Sequence, residues 1–224
     1  MKPMNEIIKK FENNKGIKVE VHYGGSGELY GMLSTTGCDV FIPGSYYYTK
    51  LAMEKGYVIN STVKNVTLHI PVIAVPAGNP KGIKSLSDLA KPGVKVALGD
   101  PKACAIGRVA IKILKKNDLW SKVKKNVVVY APTVNQLLMY LTTKQVDAAI
   151  IWKDLSTWAE ARGKVEVITI PAKENIVKTI PIAVAVKAKK DGSLKSSLLF
   201  EKYVLNSKKI WEKWGFIPCN QSLS

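Results

Sequence analysis

Short apolar runs of strand length alternate with amphipathic helical stretches along nearly the whole chain, and this alternation limits the possible folds more than any other property of the sequence. Residues 17–23 read as a strand, 26–34 as a helix, 38–42 as a strand and 46–55 as a helix. Strands interleaved with helices build a parallel sheet covered by helices on both faces. The expected fold class is α/β.

Two strand-like stretches follow at 66–70 and 72–75, then the turn Pro76-Ala77-Gly78-Asn79-Pro80. A second α/β set begins there. It has a short helix from Ser85, strands at 94–98, 127–130, 146–152 and 165–170, and helices at 101–117, 134–142 and 154–162. After Pro171 an extended run covers 179–186, and two helices close the chain at 194–205 and 207–214. If the runs near 70 and 182 pair as crossing strands, the chain leaves a first lobe and later returns to it. Lobe one is then 1–75 with 181–224, lobe two is 76–180, and the two crossing strands form a hinge. Ligands of open α/β sheets tend to sit in the crevice at strand ends, so a ligand is expected in the cleft between lobes.

Composition removes several functions. Hydrophobic residues make up 46% of the 224, but the apolar runs are shorter than the roughly 20 residues that a membrane-spanning helix needs. The formal charge of +17 favours an anionic partner. The lysines, among them Lys9, Lys10, Lys115, Lys116, Lys122, Lys124, Lys125, Lys189 and Lys190, are spread in twos and threes with no nucleic-acid-binding motif, so a solvated surface is expected and no nucleic-acid partner. Cys38, Cys104 and Cys219 are widely spaced and form no metal-binding pair; His22 and His69 are expected to be packed or surface histidines. No signal peptide precedes the amphipathic stretch at Pro3 to Phe11, so either the protein is cytoplasmic or the sequence begins after its natural start.

Three strand-to-helix junctions carry unusual local chemistry. In Gly24-Gly25-Ser26-Gly27-Glu28 the glycines allow close backbone approach, and the Ser26 hydroxyl is suited to cap the helix or to donate to an anion. In Gly99-Asp100-Pro101-Lys102-Ala103-Cys104-Ala105-Ile106-Gly107, small residues leave the first-turn amides of the next helix accessible. Such amides hold anions without any charged side chain. In Ala131-Pro132-Thr133-Val134-Asn135-Gln136, Thr133 and Gln136 have the spacing of a capping box. Each junction taken singly is equally well a capped helix.

Signatures of catalysis are thin. There is no nucleophile elbow and no zinc-protease motif; Asp100, Asp147 and Asp154 fit cap or surface roles, and Tyr46-Tyr47-Tyr48 fits packing. No enzymatic activity and no cofactor are expected.

The segments Tyr23-Gly24-Gly25-Ser26-Gly27, Cys38-Asp39-Val40-Phe41, Ser85 to Val94, Ala97-Leu98-Gly99-Asp100-Pro101, Ala131-Pro132-Thr133-Val134 and Val146-Asp147-Ala148-Ala149-Ile150 together resemble the molybdate- and tungstate-binding proteins of ABC transporters. The resemblance implies a type II periplasmic binding protein fold whose first strand and an accompanying serine loop are missing here. It also implies a monomer that takes a small oxyanion and delivers it to a permease, outside the cell or in the periplasm, with a membrane anchor as one arrangement. By position, Ser26 matches the family's hydroxyl donor, and Ile106 and Val134 match residues that donate through backbone N–H. The expected ligand-binding set is Gly25, Ser26, Cys104, Ile106, Thr133, Val134 and Trp152, with no metal apart from the bound oxyanion. Two residues depart from the family. Trp152 stands where a tyrosine hydroxyl is common, and Cys104 stands where archaeal relatives place a carboxylate; a thiol at a helix N-terminus would have a lowered pKa and be a ligand candidate, with a small buried thiol as the default. Alternatives are another ligand, such as sulfate, a metal ion or a chelate, or an effector-sensing domain or enzyme on the same fold.

Overall fold

The computed structural model describes residues 2–219. The chain divides into two units, Met1–Leu68 with Lys178–Ser224, and His69–Val177.

The first unit opens with α1 (Lys2–Lys15), whose buried Met4, Ile7, Ile8 and Phe11 recur at helical spacing. They pack with Phe200, Val204 and Trp211 in one cluster, where the Phe11 and Phe200 rings meet edge to face at 5.0 Å. Next come α2 (Ser26–Thr35), β1 (Val40–Phe41), α3 (Tyr46–Glu54) and β2 (Lys64–His69).

The second unit runs through β3 (Pro71–Pro76), β4 (Val96–Gly99), α4 (Ala105–Lys116), α5 (Trp120–Val123), β5 (Val127–Ala131), α6 (Val134–Thr142), β6 (Ala148–Trp152) and β7 (Val165–Ile168). The chain then returns to the first unit as β8 (Lys178–Val184), α7 (Lys187–Lys190), α8 (Leu194–Asn206), α9 (Lys208–Lys213) and β9 (Ile217–Pro218).

The sheet of the second unit has the order β5-β4-β6-β3-β7. Its β5, β4 and β6 are mutually parallel, as the alternation of strand and helix requires, while β3 runs antiparallel to both β6 and β7. Helix α4 covers this sheet with Ile106, Ala110, Ile113 and Leu114, all fully buried. Burying an aliphatic side chain of that size contributes about 1.5–3 kcal/mol, so this one face anchors the helix.

The first unit differs from the sequence expectation in three places. Its sheet, in the order β1-β8-β2-β9, is not a run of parallel βαβ repeats: β1 pairs antiparallel with β8, and β2 with β9. Strands brought together by the returning chain are not bound by the parallel geometry of a helical crossover. The stretch 17–23 is not a strand. Its alternating pattern does reflect packing, since Ile17, Val19 and Tyr23 lean on the α1 cluster, but the Val19 N–H donates to the Glu12 carboxylate at 2.9 Å instead of entering a ladder. Of the three consecutive tyrosines Tyr48 packs against a core cluster and the Tyr30 ring, whereas Tyr46 and Tyr47 are exposed, Tyr47 with its ring edge against Tyr48.

Two helices of the second unit are shorter than their periodicity suggests. Helix α4 starts at Ala105 rather than at 101. The Asp100 side chain accepts the Lys102 N–H (2.8 Å) and its carbonyl accepts the N–H groups of Ala103 and Cys104, a local turn that delays the helix. At 154–162 there is only one 3-10 segment, Lys153–Thr157. There the Ser156 and Thr157 hydroxyls bond back to the carbonyls of Lys153 and Asp154, both at 2.7 Å, and the chain leaves helical geometry at Trp158.

Candidate functional site

Parallel pairing places the carboxyl ends of β5, β4 and β6 on one edge of the second unit's sheet. Gly99 lies opposite Ala131, and Ala97 opposite Ala149. Each strand ends in residues singled out from the sequence: β4 leads into Cys104 and Ile106, β5 into Thr133 and Val134, and β6 ends at Trp152. These five residues belong to three neighbouring strand ends.

The β4–α4 junction is built by close backbone contact. A Cβ on Gly107 would stand 2.1 Å from the Gly99 carbonyl oxygen, so only glycine lets the start of α4 rest on the end of β4. Cys104 is the N-cap of α4. A helix leaves its first amides without intrahelical partners and carries partial positive charge at that end, which places the Ala105 and Ile106 N–H groups where an anion is favoured.

The β5–α6 junction presents a second such terminus. Thr133 is the N-cap and its hydroxyl oxygen accepts the Gln136 N–H at 3.2 Å. The box is one-sided, the Gln136 amide N–H being the only donor in it. The Thr133 hydroxyl retains its own proton for donation.

The two junctions are tied to each other. The Asp100 N–H donates to the Ala131 carbonyl at 2.7 Å, extending the β4–β5 ladder past the strand ends. The Cys104 thiol donates to the Pro132 carbonyl at 2.9 Å and lies 3.6 Å from that of Ala131. Cys104 is a small buried thiol, the default reading, without the lowered pKa considered beside it: burial pushes this thiol up, and the Asp100 carboxylate adds to the effect. Cys104 is thus a neutral donor with a protein partner, not a thiolate.

At the third strand end Trp152 is 8% exposed and lies flat on His69, with ring centroids 3.7 Å apart and planes 16° from parallel. His69 Nε2 is 3.2 Å from an Asp154 carboxylate oxygen. This trio was not legible in the sequence, which pointed to an ordinary histidine and a cap or surface aspartate. His69 lies far in the chain from Trp152 and Asp154, and no motif joins them. Asp147 accepts the Lys95 N–H at 2.7 Å, a structural role.

In the first unit, Gly25 is the N-cap of α2, its N–H donating to the Glu28 carboxylate at 3.3 Å. Ser26 is therefore the first residue of the helix and its hydroxyl does not cap it, which corrects one of the two roles expected of it. A Cβ on Gly25 would meet nothing within 4 Å, so open space surrounds that backbone. Gly44, next to Ser45 at the N-cap of α3, approaches the same turn, with the Ser26 Oγ 3.6 Å from where its Cβ would be. The three cysteines are free thiols. Among the described residues no cluster of acidic, histidine or cysteine side chains is arranged to hold a metal ion, and no helix is long and apolar enough to cross a membrane.

A chain that leaves one α/β unit, completes a second and returns, with helix N-termini at the strand ends, has the architecture of type II periplasmic binding proteins. It belongs to the bacterial extracellular solute-binding protein family, whose profile matches residues 1–217. A protein of Haemophilus influenzae, provisionally described as a binding protein, is 36% identical over 171 residues, covering 75% of this chain and 68% of its own. The molybdate-binding protein of Mycobacterium tuberculosis is 27% identical over 172 residues, covering 76% of this chain and 63% of its own. Among solved structures, the substrate-binding domain of a provisionally assigned molybdenum ABC transporter of Clostridium difficile superposes with a TM-score of 0.84 at 22% identity, covering 98% of this chain and 94% of that one. The family and these fold neighbours are substrate-binding proteins.

Proposed function

We propose that this solute-binding protein captures a tetrahedral oxyanion, molybdate or tungstate, and delivers it to the permease of an ABC transporter. The observation that carries the reading is the pair of adjacent helix N-termini, α4 and α6, at neighbouring strand ends. Their donors are the backbone N–H groups of Ile106 and Val134 and the Thr133 hydroxyl; Gly25 and Ser26, at the start of α2 in the first unit, are the further ligand residues of this reading. Neutral donors suit a small dianion. They avoid the desolvation of a buried lysine, and a fixed set of N–H and O–H groups selects by size and geometry. The surface lysines behind the net charge of +17 raise the rate of anion capture without choosing the anion. The 27% identical molybdate-binding relative supports the choice of ligand class.

Val134→Pro tests the reading with little disturbance, because Val134 is the first residue of α6 and proline is well accepted there. The substitution removes one N–H, and Thr133 before it is already extended at φ −132 and ψ 155. A hydrogen bond to a charged group contributes about 1.5–3 kcal/mol, so affinity for molybdate should fall by about tenfold or more while the unfolding midpoint barely moves. Unchanged affinity would remove α6 from the site.

A further inference from the structure

The Cys104 thiol has two features that its place at the head of α4 does not require. It reaches out of its own junction to the carbonyl of Pro132, the residue before the N-cap of α6, at 2.9 Å. It also stays protonated at neutral pH, because burial and the Asp100 carboxylate oppose its ionisation.

From this geometry we infer that Cys104 is a positioning residue: its S–H···O contact to Pro132 holds the start of α6 beside the start of α4, setting the spacing of the two sets of amides. The inference rests on the oxyanion reading for its functional consequence, but not for its structural content. Three contacts act in series. Gly107 seats α4 on the end of β4, the Asp100 N–H joins the β4 end to Ala131 at 2.7 Å, and the thiol carries the link one residue further to Pro132. Beyond Ala131 the parallel ladder has ended, so at Pro132 the thiol takes the place of a backbone donor. Pro132 lacks an N–H and contributes only its carbonyl, which the thiol uses. The neighbouring Thr133 amide and the first turn of α6 follow the position of that carbonyl. A side chain that spaces two donor sets acts on selectivity among anions of different size, and it does so without touching the anion.

The test compares Cys104→Ser, which keeps a donor, with Cys104→Ala, which does not. Amide hydrogen exchange across 131–135 should speed up in the alanine variant and return toward the parent rate in the serine variant. Equal exchange in parent and alanine variant would overturn the inference, as would a serine variant that behaves like alanine. On the unaltered protein, the S–H Raman band assigned by its loss in Cys104→Ser should lie below the frequency of a free thiol, and an undisplaced band would also overturn it. In anion titrations the alanine variant should bind molybdate about fivefold more weakly, with a changed molybdate-to-sulfate ratio, and serine should restore both. A uniform loss for every anion, with a matching loss of stability, would reduce Cys104 to packing. If the parent protein binds no oxyanion while the exchange pattern holds, the oxyanion reading fails and the positioning role stands.

Discussion

Gly107 and Gly99 are in backbone contact: a Cβ at 107 would lie 2.1 Å from the Gly99 carbonyl oxygen and 2.5 Å from its carbon. This contact sets how closely the start of α4, with its unpaired amides, approaches the end of β4. Both neighbours are backbone atoms of a residue paired with Ala131 of β5, so neither can yield cheaply. Gly107→Ala should therefore destabilise the protein by about 1–3 kcal/mol despite alanine's better helix propensity, as overpacked sites do. Chemical denaturation of the variant checks it, and a neutral or stabilising result would mean that α4 shifts freely.

Glu201 on α8 is 7% exposed, and burial pushes its carboxyl up to about 7 against a modest opposing pull from Lys64. Its Oε1 has no hydrogen-bond partner among the described residues. A carboxyl whose folded pKa is raised favours the folded state while protonated, and that contribution is lost as pH rises from about 4.5 to about 7. The stability of the parent should decline across that window through this group. Glu201→Gln should flatten the profile and be the more stable protein above pH 7. Parallel profiles for the two proteins would show that Glu201 does not titrate in the folded state.

Asp88 behaves in the opposite way. Its carboxylate is held below the usual range by Lys91, at 2.7 Å, and by the Lys84 N–H, also at 2.7 Å, with the Ser85 N–H at 3.1 Å. A lowered folded pKa contributes stability that is present above the unfolded value and is lost as pH falls through the folded one. Asp88→Asn should cost about 1–2 kcal/mol at neutral pH, as loss of a capping carboxylate does, and the difference from the parent should shrink in acid. A difference independent of pH would assign the loss to shape rather than charge.

Much of this was legible in the sequence, for identifiable reasons. Helices α4 and α6 bury one face at helical spacing, so Ile106, Ile113, Leu137 and Leu141 announced both helices; Thr133 marked the start of α6, while the start of α4 was read four residues early because of the turn at Asp100. The stretch 17–23 misled because alternation reports which side faces a core and not whether a neighbouring strand exists. The stretch 154–162 misled because the Ser156 and Thr157 hydroxyls compete for the carbonyls that a helix would use. For Cys104 the sequence left a small buried thiol as the default beside a lowered-pKa ligand, and burial, a tertiary property, decides for the buried thiol. The stack of His69 on Trp152 likewise joins residues that only the antiparallel β3–β6 pairing brings together.

Isothermal titration of the full chain with molybdate, tungstate and sulfate tests the central claim most directly. Saturable one-to-one binding of molybdate or tungstate is expected, with sulfate weaker and with affinity about tenfold or more lower in Val134→Pro. A folded protein that takes up none of the three would contradict it.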